Sequence, residues 1–89
     1  MKINSLVRMH RAKLGYSQED LAYTFGVTKA MISLYETGAR NWSIKYLKKL
    51  VKVLDIPQQD MITAIKEDHA TRSKEGLEEL VKKFMEEAE

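Results

Sequence analysis

The side chains of this 89-residue chain that can do chemistry are cations and hydrogen-bond donors rather than nucleophiles or metal ligands. There is no cysteine, which excludes disulfides and thiolate metal sites. The two histidines, His10 and His69, stand far apart, and neither a paired acid/base constellation nor a phosphate-cradling glycine loop is present. No enzyme site can be assembled from this inventory, and no cofactor or metal is expected. The chemistry on offer is reversible attraction for a polyanion. Residues 1–56 carry ten Lys/Arg against four Asp/Glu, whereas residues 57–89 carry five against nine. A basic part joined to an acidic part suggests that one end meets a polyanion and the other does something else. The plainer alternative is a solvated surface of uneven charge.

The elements that must hold those charges are helical. Apolar residues recur with a helical period between the glycines and the single proline, and no alternating β-type run is bounded by turns. A chain of this size supports one core and at most one appended element. A first helix is expected over Ile3–Leu14, burying Ile3, Leu6, Val7, His10 and Leu14, with Gly15 as its stop. Ser17 reads as an N-cap whose hydroxyl accepts from the Asp20 backbone N–H while the Asp20 carboxylate returns the bond. That second helix turns Leu21, Ala22 and Phe25 inward and ends at Gly26. Thr28 caps a third helix, burying Ile32 and Tyr35 and stopping near Gly38. Ser43 caps a fourth, with Ile44, Leu47, Leu50, Val51 and Leu54 as its stripe. Pro57 fits the first turn of a fifth, and Met61, Ile62 and Ile65 close the core. The fold class is therefore all-α, with five helices in residues 1–66 and a C-terminal amphipathic helix within 67–89. Whether helices five and six are continuous stays open, since Ser73 can cap a new start and Gly76 weakens the middle.

Two short helices, Ser17–Phe25 and Thr28–Thr37, flank a tight turn at Gly26-Val27. Gly26 permits positive φ, Val27 fills the space between the helices, and Ala22 is small enough to let them approach. This is a helix-turn-helix, whose second helix suits the width of a DNA major groove. The stretch Leu14-Gly15-Tyr16-Ser17-Gln18-Glu19-Asp20-Leu21-Ala22, then Gly26-Val27-Thr28, Ile32-Ser33-Leu34-Tyr35-Glu36-Thr37-Gly38 and Arg40-Asn41-Trp42-Ser43, together with Arg11, resembles the lambda repressor and Cro-like, or XRE-type, helix-turn-helix regulators. The resemblance covers Val7 to about Ile62.

That resemblance implies a sequence-specific double-stranded DNA-binding transcriptional regulator, a repressor acting as a dimer. Gln18 falls where the family puts a glutamine that touches a phosphate. Thr28, Lys29, Ala30, Ser33 and Leu34 fall at the outward positions of the recognition helix. There Lys29 can donate to guanine O6/N7 or to phosphate, Ser33 to base edges, and Ala30 and Leu34 can meet thymine methyl groups. Such apolar positions depart from relatives that read bases with paired amides or guanidinium groups, and leave room for readout of DNA shape. Leu34 can equally pack against helix four or a partner. Arg40, Asn41 and Lys45 fall in the loop and first turn that face the DNA backbone in the family. Arg8, Lys13, Lys48, Lys49 and Lys52 read as general surface charge. Arg11 and Glu36 match a structural ion pair between helices one and three. His10 stands where relatives have an aliphatic residue and is expected to be partly buried. Trp42 replaces a common proline, and either packs over the core or helps form a dimer surface.

The last helix carries Leu77, Leu80, Val81, Phe84 and Met85 on a narrow stripe that must fold back on the domain or pair with a second copy; dimerisation is the expectation, with a protein partner as another occupant. A protein-interaction module and an antitoxin-like regulator are the competing readings. No apolar run is long enough for a membrane span, and the N-terminus lacks the features of a signal peptide, so a cytoplasmic location is expected.

Overall fold

Helix boundaries in this chain follow from local capping chemistry. The computed structural model describes residues 1–68 and 74–86, and within 74–86 the side chains of Glu79 and residues 81–86. Its helices are α1 (Ile3–Lys13), α2 (Gln18–Phe25), α3 (Lys29–Thr37), α4 (Ile44–Val53), α5 (Gln58–Asp68) and α6 (Lys74–Glu86), and no strand occurs among the described residues. The hydroxyls of Ser17, Thr28 and Ser43 accept from the backbone N–H groups of Asp20, Met31 and Tyr46 at 3.0, 3.2 and 3.2 Å. Each satisfies one of the donors that a helix start leaves without a partner. Asp20 returns the bond to the Ser17 N–H at 2.9 Å, completing a capping box.

Two boundaries differ from the periodicity-based expectation. Leu14 leaves the helix rather than extending its buried face. It lies past the last residue of α1 and is 47% exposed, because the chain is already turning into the left-handed Gly15. Pro57 sits one position ahead of α5, where its carbonyl accepts from the Met61 N–H at 3.1 Å. α4 stops without a glycine. Asp55 takes the left-handed conformation (φ 55°), and the Ile56 N–H closes on the Val51 carbonyl at 3.1 Å while the Ile56 side chain enters the core.

The core gathers Val7, Leu21, Ile32, Leu47, Leu50, Leu54, Met61 and Ile65, all essentially excluded from water. His10 and Trp42 are buried with them, Trp42 joining the core cluster. Tyr35 is only half-buried, lying along the edge of that cluster. α1 packs on α3 and α5, and α2 on α3. The start of α1 has no cap from its own Lys2; instead the Ile3 N–H donates to the Asp68 carboxylate at 3.1 Å, and the N-terminal ammonium pairs with Glu67. An acidic α5 C-terminus is thereby placed at the positive end of α1.

α5 is described to Asp68 and α6 from Lys74; the connection between them, with Ser73 as the expected cap, lies outside the described residues. α6 folds back onto α4 and α5. Phe84, expected to serve self-association, is buried in the chain's own core at 4% exposure, with Val81 half-buried beside it. The reason is steric availability: α4 and α5 lie within reach of Phe84 and Val81 in the same chain. Met85 points outward at 54% exposure. The side chains of Leu77 and Leu80 lie outside the described residues.

Candidate nucleic-acid interface

The α2–α3 unit is shaped by its turn. Gly26 is left-handed (φ 71°), the Gly26 N–H donates to the Tyr23 carbonyl at 3.2 Å, and the Val27 N–H donates to the Ala22 carbonyl at 3.0 Å. This pair of bonds defines a Schellman motif and reverses the chain within two residues. Val27 is half-buried between the helices and Ala22 is buried. Thr28 then caps α3 at once, so the angle between the helices has little freedom.

α3 presents two distinct faces. Ile32 and Glu36 point inward, at 0% and 2% exposure. Thr28, Lys29 and Ala30 are exposed, Ser33 is half-buried and Leu34 is 38% exposed. Past Gly38 the loop is pinned to the end of α3, since the Arg40 N–H donates to the Leu34 carbonyl at 3.1 Å. Arg40 and Asn41 in that loop and Lys45 in the first turn of α4 are exposed, which leaves three polar side chains next in sequence to α3 and free to meet phosphate.

A buried carboxylate holds this unit onto α1. Glu36 Oε2 accepts from Arg11 Nε at 2.9 Å, and Oε1 accepts from Arg11 Nη2 at 3.1 Å and from Gln18 Nε2 at 3.0 Å. Arg11 Nη1 also donates to the Tyr16 carbonyl at 2.9 Å. The paired bonds from one guanidinium are the geometry that makes arginine suited to a carboxylate. No buried side-chain polar atom is left unsatisfied among the described residues. The Arg11 guanidinium thus joins α1 to α3 and to the connection that leads into α2, and serves as a structural contact. Gln18, at the start of α2, is half-buried and reaches this network through one amide hydrogen, leaving the other for an outside acceptor.

Sequence reasoning missed a second set of contacts. Trp42 stacks on Tyr35 (centroids 4.5 Å apart, 18° between planes) and meets Phe25 edge-on at 6.4 Å. Tyr46 closes the group against Phe25 and Tyr35 at 5.0 and 5.8 Å. The cluster joins α2, α3, the loop and α4. Trp42 Nε1 donates to Asn4 Oδ1 at 3.1 Å, across 38 positions of sequence. Aromatic residues near a predicted turn were the available signal; nothing local marked Asn4 as their partner.

A sequence model described as helix-turn-helix matches residues 7–57, more than half of the chain. The HTH-type transcriptional regulator SlrR of Bacillus subtilis is 33% identical over 63 residues, covering 70% of this chain and 41% of that protein. An uncharacterized HTH-type transcriptional regulator of Sinorhizobium medicae is 33% identical over 55 residues, covering 62% of this chain and 40% of that protein. The matched stretch thus spans about two-fifths of the length of these relatives. No solved structure matches the chain significantly. With an α2–turn–α3 unit among the helices of the described residues and a matching family model, the chain belongs to the XRE-type helix-turn-helix family.

Proposed function

We propose that this chain binds double-stranded DNA through α3 and regulates transcription, as a repressor working as a dimer on a pseudo-palindromic operator in the cytoplasm. The observation that carries the reading is the outward face of α3, where Lys29 and Ala30 stand exposed beside Ser33, followed directly by exposed Arg40, Asn41 and Lys45. In this reading α3 enters the major groove. Lys29 and Ser33 donate to base edges, Ala30 and Leu34 contact thymine methyls, and Thr28 lies at the groove edge. Gln18, Arg40, Asn41 and Lys45 hold phosphates and set the register. With few hydrogen-bonding side chains on α3, part of the selectivity comes from DNA shape. The names of the relatives as transcriptional regulators support the same reading.

A dimer would set two recognition helices about one DNA turn apart, roughly 34–36 Å. Phe84 is occupied within the chain, so among the described side chains of the α6 stripe Met85 and the outer edge of Val81 are what remains for a second copy. Selection of bound duplexes from a random pool at about 100 mM salt, which screens part of the non-specific phosphate attraction, tests the proposal. Recovery of an inverted repeat supports it. A protein-interaction or antitoxin-like role is the second reading, favoured by Leu34 at 38% exposure on the same face. Absence of duplex binding even at low salt selects that alternative.

A further inference from the structure

Arg40 and Asn41 stand on a loop whose flank facing α1 borders a cavity of about 200 Å³, lined by Lys2, Ile3, Asn4, Gly38, Asn41, Trp42 and Asp68. A polar contact crosses that flank among the described residues, the Trp42 indole N–H on Asn4 Oδ1 at 3.1 Å. The other end of the same amide lies over Gly38, where Asn4 Nδ2 is 3.5 Å from the position a Cβ would occupy. Asn4 therefore spans the loop at both ends, Gly38 where it leaves α3 and Trp42 where it approaches α4. On its opposite side Trp42 lies flat on Tyr35 of α3. The indole is a spacer between α3 and α1, and the directional bond to Asn4 adds to the ring contacts with Tyr35 and Phe25 in fixing its orientation.

We infer that Asn4 is a positioning residue for nucleic-acid contact: through Trp42 it holds the Arg40–Asn41 loop at the distance from α3 that lets both meet one duplex. The inference rests on the DNA-binding reading above. A loop that drifts while α3 stays seated loses phosphate contacts and keeps base contacts. That loss has a signature distinct from simple destabilisation, because each phosphate contact contributes about 0.9 to the slope of log affinity against log salt.

The test compares wild type, Asn4→Ala, Asn4→Asp and Trp42→Phe by duplex affinity across a salt series, and the first three also by acrylamide quenching of Trp42, the one tryptophan in the chain. Asn4→Ala is expected to bind a selected duplex about three- to tenfold more weakly, with the salt slope lower by about 1 and the preferred sequence unchanged. Its indole becomes more accessible to quencher, while Asn4→Asp, which keeps the acceptor, quenches like wild type. Trp42→Phe keeps the ring contact, loses the N–H and reproduces the lower slope, so the inference survives a failure of Asn4→Ala to fold. Wild-type binding combined with unchanged slopes in folded Asn4→Ala and Trp42→Phe overturns the positioning role and leaves the DNA-binding reading standing. Failure of wild type to bind any duplex at low salt overturns both.

Discussion

Gln18 Nε2 lies 3.0 Å from Glu36 Oε1, so a side chain at the exposed start of α2 is tied to a buried carboxylate of α3. An ionised carboxylate only accepts, which means the amide must face it with its NH₂ group. One hydrogen is used there, and the second is available to a phosphate without breaking the first bond. The same carboxylate takes two bonds from Arg11, so the orientation of Gln18 depends on the contact that joins α1 to α3.

Removing that carboxylate leaves the Arg11 guanidinium charged and without its partner. Glu36→Ala is expected to cost about 3–5 kcal/mol, the range for breaking a buried ion pair. Arg11→Met is expected to cost as much, because it strands Glu36 at 2% exposure. Chemical denaturation of the two single variants and the double variant checks this. A double variant markedly more stable than the sum of the singles is the expected outcome, and additive losses count against the network.

The capping box of α2 gives a pH signature. The Ser17 backbone N–H, and second its hydroxyl, hold the Asp20 carboxyl below its ordinary value of 3.8 in the folded chain. As pH falls the unfolded chain binds this proton first, so the contribution is complete above 3.8 and is lost as pH drops through the lowered folded value. Asp20→Asn should be less stable than wild type at neutral pH, with the gap closing in acid. Ser17→Ala should cost about 1 kcal/mol. Thermal melts across the acid range read both; a gap that widens in acid contradicts the assignment.

Phe84 anchors α6, so Phe84→Ala should undock that helix before the rest of the domain unfolds. The expected loss is about 1.5–3 kcal/mol, the value of burying one such side chain, capped by the free energy of docking itself. Amide hydrogen exchange should quicken in α6 and leave α2 and α3 slow. Equal acceleration throughout would mean that α6 belongs to the cooperative core.

How far the sequence carried the account depended on the range of each interaction. The caps at Ser17, Thr28 and Ser43 and the turn at Gly26 act within six residues, and their residue types announce them. The inward faces of α2 and α4 followed from helical period. Leu14 misled because it satisfies the period but lies past the helix end, where period stops having meaning. Asp55 hid the end of α4 because a left-handed aspartate has no signature as strong as glycine. The Asn4–Trp42 and Ile3–Asp68 bonds join residues 38 and 65 positions apart, a range at which no local pattern speaks. Phe84 was expected at a dimer surface and instead folds back into the core for a similar reason: an apolar stripe states that it must be covered, not by what.

The central claim is that the outward face of α3 reads double-stranded DNA. Its most direct test is the affinity of wild type and Lys29→Glu for the duplex recovered by selection and for a scrambled duplex at the same salt. Lys29 is exposed at the first turn of α3 and takes no part in the core, so the charge reversal should leave the melting temperature nearly unchanged. The account predicts that wild type prefers the selected duplex and that Lys29→Glu, still folded, binds neither. Full affinity retained by folded Lys29→Glu would contradict it.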